Sequence, residues 1–387
     1  MKNVSASTHS PLKIGLICDW YLPRIGGTEM HLHDLALRLA GEGHDVQVIT
    51  PTPGQKETDG IPAHRLDVSL FPGLGVVWTK CAFAKIESLL KSESYDVVHC
   101  HGNIFSPATY GAVYLSQKMG IPVMITWKSI LGVYTPVMAF LNLLFRWSKW
   151  PVVFSAVSGV AAEDVKSIVK NKPVHILPNG IDVSDWKAAR VPGNPGEILI
   201  VSVMRLIRKK RPDALIKMVP KIIARISPDI RLKVKIIGEG PDKEALEKLI
   251  ARRSLKNTVE LVGYKSREEI RDIFARSDIY VCASKWESFG IAALEARAAG
   301  LPVVALESGG VKEIVEHGRE GLIGKTDDEM VDHLVRLVRE PETLSSLAEY
   351  NRDNPPPMNW NEVIVLHLSL YRTAIDLQKK QRRRSPL

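Results

Sequence analysis

The stretch "LKIGLICDWYLPRIGGTEMHLHDLALRLAGEGHDVQVIT", Leu12 to Thr50, decides the fold. "LKIGLIC" is an unbroken apolar run, as a strand buried on both faces requires. A loop with Pro23, Gly26 and Gly27 follows. Leu32, Leu35, Ala36 and Leu39 then recur at helical spacing, with Thr28 as candidate N-cap and Gly41 and Gly43 at the end. "HDVQVIT" reads as a second strand. Strand, helix and strand in this order make a parallel pair with a crossover helix.

The same alternation continues outward. Strands are expected at "YDVVHCH" (95–101), "PVMIT" (122–126), "VVFSAVS" (152–158) and "VHILPN" (174–179). "VSDWKAARVPGNPGE" (183–197) breaks the pattern with Pro, Gly and polar residues and reads as a linker. A second set follows, with strands at 197–203, 232–238, 259–263, 279–284 and 302–306 and helices near 212–226, 241–253, 266–276 and 289–299. The expected fold class is therefore α/β, with two doubly wound parallel-sheet domains facing across a cleft. The boundaries are 1–185 for the first domain, 186–196 for the linker and 197–357 for the second. A closing helix is expected over 359–378, after "NPPP".

Composition narrows the class. Hydrophobic residues make up 45% and charged residues 25%, as in a soluble globular protein. The four cysteines, Cys18, Cys81, Cys100 and Cys282, have no CxxC spacing, which argues against a zinc site or disulfide framework. The start "MKNVSASTHSPLK" has no apolar run of a signal peptide, and no run of about 18 apolar residues predicts a membrane span. Of the net charge of +9, the tail "KKQRRR" (Lys379 to Arg384) supplies five. No Asp or Glu occurs from Val97 to Ala162, where Lys118, Lys128, Arg146 and Lys149 interleave with Trp127, Tyr134, Phe145, Trp147 and Trp150. That window suits either contact with an anionic membrane or a buried core with ordinary surface lysines. No nucleic-acid-binding module is visible.

In parallel α/β sheets ligands bind beyond the carboxyl ends of the strands, so the loops there carry the candidates. Gly26 and Gly27 before a helix start can let backbone amides approach an anion, although Gly-Gly is also common turn material. "DVVHCHG" delivers His99 and His101 to one strand face, as functional groups or as structural histidines; a metal would need a third ligand. "VSVMRLIRKKR" places Arg205, Arg208, Lys209, Lys210 and Arg211 after a strand, which suits a diphosphate or a solvated basic loop. "IIGEGP" starts like a dinucleotide fingerprint, but Lys243 stands where the third glycine belongs. In "SKWESFGIAALEARAAG" (Ser284 to Gly300), Glu287 lies in the loop, Ser288 can cap, and a helix starts near Phe289. The amides of Phe289, Gly290 and Ile291 would then be free helix-start donors. Glu295 sits among Ala292, Ala293, Leu294, Ala296 and Ala298, a setting that suggests burial.

These motifs, with "VSGV" (157–160), "ILPNGID" (176–182) and "GGVKEIVEHGREGLI" (309–323), resemble the family 4 retaining glycosyltransferases over about residues 12–376. The resemblance implies the GT-B fold, two Rossmann-like domains. It implies that Arg205 and Lys210 hold the donor diphosphate, that Glu295 binds the ribose hydroxyls and that Glu287 binds the transferred sugar. The amides of Phe289, Gly290 and Ile291 would meet sugar and phosphate, with Ser288 also among the donor-binding residues, and the closing helix 359–378 would cross back onto the first domain. His101 would lie by the reacting centre, and Gly26 and Gly27 would close over the diphosphate. It further implies a nucleotide-diphosphate sugar as substrate, UDP-sugar before GDP-mannose, no cofactor and no metal. Two departures stand out: Trp127-Lys128 where many members have His-Asp, and Arg297 where an apolar residue is usual. The first turns the acceptor toward an anionic or lipid-borne hydroxyl compound. There is also some likeness to the branch that glycosylates phosphatidylinositol with N-acetylglucosamine or mannose. The expected location is cytoplasmic, or peripheral on the cytoplasmic membrane face. Rival readings are a nucleotide-sugar epimerase of the same architecture and a non-catalytic binding module. Arg297 either partners Glu295 or points to solvent.

Overall fold

A computed structural model describes residues 10–68, 79–187 and 189–384. Residues 1–9, part of the stretch read for a leader, lie outside the described residues, as does Ala188 of the linker. The chain divides into two compact units. The first comprises Met1–Val157, Ala161–Leu177 and Val363–Leu387, and the second Ser158–Val160 and Pro178–Glu362.

The first unit holds eight strands: β1 (Lys13–Cys18), β2 (Asp45–Thr50), β3 (Glu57–Thr58), β4 (Ile61–Arg65), β5 (Val97–Gly102), β6 (Val123–Trp127), β7 (Val152–Ala156) and β8 (Val174–Ile176). Their order across the sheet is β3-β4-β2-β1-β5-β6-β7-β8. All these pairings are parallel except β3 with β4. The second unit holds β9 (Glu197–Val203), β10 (Arg231–Ile237), β11 (Val259–Gly263), β12 (Ile279–Cys282), β13 (Val303–Leu306) and β14 (Gly321–Gly324), in the order β11-β10-β9-β12-β13-β14 and all parallel. In each sheet the chain runs outward from a central strand, returns, and runs out the other way. The switch lies between β1 and β5 in the first and between β9 and β12 in the second, the places where such sheets take ligands.

Central strands are largely apolar because helices cover both faces. Ile200, Val234, Ile279 and Val304 pack with Leu215, Ile222 and Leu334 into one buried cluster. The expected strands are all present. The hairpin β3–β4 and the strand β14 are additions to that expectation: "IPAHR" carries a proline near an edge, and "GLIG" is only four residues with two glycines. The helix after β1 spans Gly27–Gly41 with Gly26 as its N-cap, so Thr28 lies inside the first turn and does not cap it. The closing helix spans Trp360–Arg384, longer than expected.

Candidate functional site

In the second unit, β9 runs into a loop that is clamped backbone to backbone. The amides of Met204 and Leu206 donate to the carbonyls of Ile237 and Glu239, both at 2.9 Å, and Asp242 N donates to Leu206 O at 3.1 Å. No side chain fits between these segments. A Cβ on Gly238 would lie 2.0 Å from Met204 O, and one on Gly240 2.3 Å from Leu206 O. Gly238 also has φ 134°, a region that side chains rarely enter. The glycines of "IIGEGP" thus fix the loop that carries Arg205 and Lys210.

Arg205 is exposed at this loop. Lys210 Nζ meets Glu287 Oε2 at 2.6 Å, with the two side chains 27% and 17% exposed. Burial pulls the lysine's pKa down, but the charge and hydrogen bond of Glu287 more than offset this, so the pKa stands above its ordinary value. Arg211 is otherwise engaged, with Asp327 at 2.6 Å and the carbonyl of Ala283 at 3.0 Å.

The Glu287 loop after β12 is fixed from the other side. Gly310 N donates to Glu287 O at 2.7 Å. A Cβ at Gly310 would lie 2.3 Å from Ser288 O, and one at Gly309 would lie 3.0 Å from Glu287 O. The helix begins two residues later than expected, spanning Ile291–Ala298. Its N-cap is Gly290 in the left-handed region at φ 94°, and no side chain caps it. The reason is local: Phe289 turns inward to 3% exposure, and the glycine then redirects the backbone into the helix. Glu295 is 8% exposed, as its apolar neighbours suggested. The tyrosine Tyr280 lies within electrostatic reach of both carboxylates: its pKa is raised first by burial and then by Cys282, Glu287 and Glu295.

Arg297 takes neither of its expected courses. It is 7% exposed and donates to Ile314 O at 2.6 Å, to Glu320 Oε1 at 3.2 Å and to Asn354 O at 3.4 Å. Glu320 in turn accepts from Glu316 N at 2.8 Å. This buried pair ties the helix Ile291–Ala298 to the segments that follow β13.

In the first unit, Gly26 caps the helix Gly27–Gly41, and Met30 N donates to Gly26 O at 3.0 Å. The Glu29 carboxylate folds back so closely that a Cβ on Gly26 would lie 2.5 Å from its Oε2. Glu29 pairs with Arg24 at 3.2 Å. A carboxylate of the chain itself therefore occupies the helix start at which Gly26 and Gly27 were expected to meet an anion.

The two histidines of β5 part company. His99 is bonded at both nitrogens, to Tyr371 Oη at 3.0 Å and Thr126 Oγ1 at 2.7 Å. His101 packs against it with ring centroids 4.0 Å apart, is 1% exposed, and has no hydrogen-bond partner at either nitrogen. Burial first, then the Lys128 charge, holds His101 well below the usual imidazole range, so it is neutral. Lys128 Nζ lies 3.5 Å from His31 Nδ1 and is 7% exposed, and burial lowers its pKa to about 7. His31 is absent from the sequence-based candidates; an imidazole at helical spacing gives no sign of the strand end it meets. Asp19, directly after β1, is absent from them too. It accepts from Ala108 N at 3.1 Å, from Thr109 N at 3.2 Å and from Thr109 Oγ1 at 2.7 Å, and so joins β1 to the start of the helix Pro107–Lys118. An acid at the end of a central strand is the available signal. Among the described residues no group of three or more His, Cys, Asp or Glu is arranged to hold a metal ion.

Two family models match the chain: "Glycosyltransferase Family 4" over residues 25–185 and "Glycosyl transferases group 1" over residues 185–354. The chain belongs to glycosyltransferase family 4. It is 27% identical to a phosphatidylinositol N-acetylglucosaminyltransferase subunit from Arabidopsis thaliana over 350 residues, which cover 88% of this chain and 77% of that one. It is 26% identical to the D-inositol 3-phosphate glycosyltransferase of Pseudarthrobacter chlorophenolicus, covering 91% of each. The crystal structure of Anabaena HepE in complex with UDP-glucose is similar in fold, with a TM-score of 0.73 at 18% identity, covering 93% of this chain and 100% of that one. This family 4 glycosyltransferase has the GT-B architecture of two parallel-sheet α/β domains. Its Arg205, Lys210, Glu287, Gly290 and Glu295 are gathered around the switch point of the second sheet.

Proposed function

We propose that this glycosyltransferase moves a hexose or N-acetylhexosamine, with retention, from a nucleotide-diphosphate sugar to a hydroxyl of a lipid-borne or anionic small-molecule acceptor. The observation that carries the reading is the Lys210–Glu287 pair at 2.6 Å, on the loops that also carry the exposed Arg205 and the helix start at Gly290. Two cations and helix-start amides suit a diphosphate, and a carboxylate accepts well from sugar hydroxyls. Arg205 and Lys210 stabilise the charge that gathers on the departing nucleotide, the largest contribution expected of such a site. Glu287 orients the sugar, and Glu295 anchors the ribose. The C1–O bond to the donor phosphate breaks, the acceptor oxygen bonds to C1 on the same face, and the leaving phosphate takes the acceptor's proton. No metal and no cofactor enters this scheme.

A UDP-sugar is the first donor. UDP-N-acetylglucosamine with phosphatidylinositol is the first pair to try, because the Arabidopsis thaliana relative is named for phosphatidylinositol and N-acetylglucosamine. The test is a matrix of UDP-N-acetylglucosamine, UDP-glucose and GDP-mannose against phosphatidylinositol and inositol phosphate, with chelator present. A glycosylated acceptor of unchanged anomeric configuration is expected from a UDP-sugar. Transfer from GDP-mannose alone makes the protein a mannosyltransferase. Epimer formation without an acceptor, or donor binding with no turnover on any acceptor, overturns the proposal.

A further inference from the structure

The helix Thr135–Phe145 of the first unit wears its apolar side outward. Val137, Phe140, Leu143, Leu144 and Phe145, with Val133 just before the helix, are each 55–75% exposed. The inward side is where the polar contacts are. Asn142 Nδ2 donates to Ile168 O at 2.9 Å, and its Oδ1 accepts from Ser148 N at 3.0 Å. Asp164 Oδ2 accepts from the amides of Leu131 and Gly132, both at 2.9 Å, and Met138 is buried at 4% exposure. A helix on a water-soluble surface has the reverse order, apolar inward and polar outward. A contiguous apolar patch of this kind marks an interaction surface.

Charge names the partner. From Val97 to Ala162 the chain has no Asp or Glu, and Arg146 and Lys149 stand at the end of this helix, neither of them buried. Trp147 and Trp150 lie between and beside them, held against Tyr110 and Tyr114 with ring centroids 6.1 and 5.7 Å apart. Those tyrosines belong to the helix Pro107–Lys118, and just beyond its far end the carbonyl of Gly120 accepts from Arg382 Nη2 at 2.8 Å. The basic end of the last helix is thus fastened to the same unit. At about 1.5 Å per residue an 11-residue helix is far too short to cross a bilayer. No described helix is long and apolar enough to cross a membrane. An uncharged helix with aromatic and basic flanks can lie in the interface instead.

We propose that the helix Thr135–Phe145 inserts its outward face into the surface of an anionic lipid bilayer, with Arg146 and Lys149 among the headgroups. For its purpose, bringing the site to a lipid-borne acceptor, this rests on the function proposed above; binding itself is measured without sugar. The full chain is floated with phosphatidylcholine vesicles, with and without phosphatidylserine. The wild type is expected to float with the anionic vesicles and to be released by salt. Phe140→Ser/Leu143→Ser, with an unchanged melting temperature, is expected to lose at least about tenfold in partitioning, and Arg146→Gln/Lys149→Gln about fivefold per charge removed. Wild type that stays in solution at low salt, or a serine variant that floats like wild type, overturns the proposal. So does a wild-type dimer in sedimentation that Leu143→Glu separates while neither form floats, because a second copy then covers the face. Transfer to a short-chain soluble acceptor is followed in parallel. Flotation without transfer to any acceptor leaves the docking surface standing and rejects the reaction.

Discussion

At the scale of single residues, the cations of the second unit divide by what they already hold. Arg211 and Arg297 are consumed by Asp327 and Glu320, whereas Lys210 is held by the one carboxylate, Glu287, that the family resemblance places on the sugar. Lys210→Ala is expected to lower kcat by about 10²–10³ with little change in melting temperature, as loss of one electrostatic stabiliser does. Steady-state kinetics with a UDP-sugar checks this. Lys128 gives a different test. Its folded pKa of about 7 lies below the ordinary 10.5. Below pH 7 both folded and unfolded chains carry the proton, and the folded state bears the cost of a buried ammonium. Between 7 and 10.5 the folded state has released the proton and the unfolded chain has not, so stability rises with pH. Against Lys128→Met, which cannot titrate, the wild type is expected to gain about 2–4 kcal/mol from about pH 7 to about pH 10 in urea denaturation.

At the scale of elements, the helix starts and loops matter more than the helices. The loop around Glu287 is shaped by backbone contacts at Gly309 and Gly310, and the Arg205 loop by Gly238 and Gly240. Gly310→Ala puts a methyl group 2.3 Å from Ser288 O and 3.2 Å from Phe289 Cα, atoms that no rotamer change can move aside. Calorimetry should show a loss of about 1–3 kcal/mol, and transfer should fall because the Glu287–Ser288 backbone must shift.

The same scale shows what the sequence could reveal. The strands were legible because parallel, doubly covered strands are continuous apolar runs. The site loops were legible because they follow those strands. The start at Ile291 was not, since Ser288 is as good a cap on paper as Gly290 is in fact. Nor was the partner of Arg297, because Glu320 lies 23 positions away and only the fold brings it near. The outward face of the helix Thr135–Phe145 was hidden for a deeper reason: apolar periodicity is the same whether the face points in or out.

At the scale of the whole molecule, both sheets have the same outward-and-back strand order, and the last segment, Val363–Leu387, belongs to the first unit. One face of its helix packs into the core of that unit. His367, Tyr371 and Ala374 have no exposed surface, and Tyr371 Oη holds His99 at 3.0 Å. Tyr371→Phe leaves a buried imidazole nitrogen without its partner and should cost about 1–3 kcal/mol, read from the urea midpoint.

The return of the chain also sets an order in time. The first sheet is complete once Leu177 has left the ribosome, yet its core waits for residues 363–387. At about 5–20 residues per second, the roughly 200 residues between take on the order of 10–40 seconds to synthesise. Throughout that interval the nascent first unit exposes the surface that Tyr371 and Ala374 will cover. A chain cut before residue 363 would carry a finished second sheet and a first unit that lacks the helix covering it.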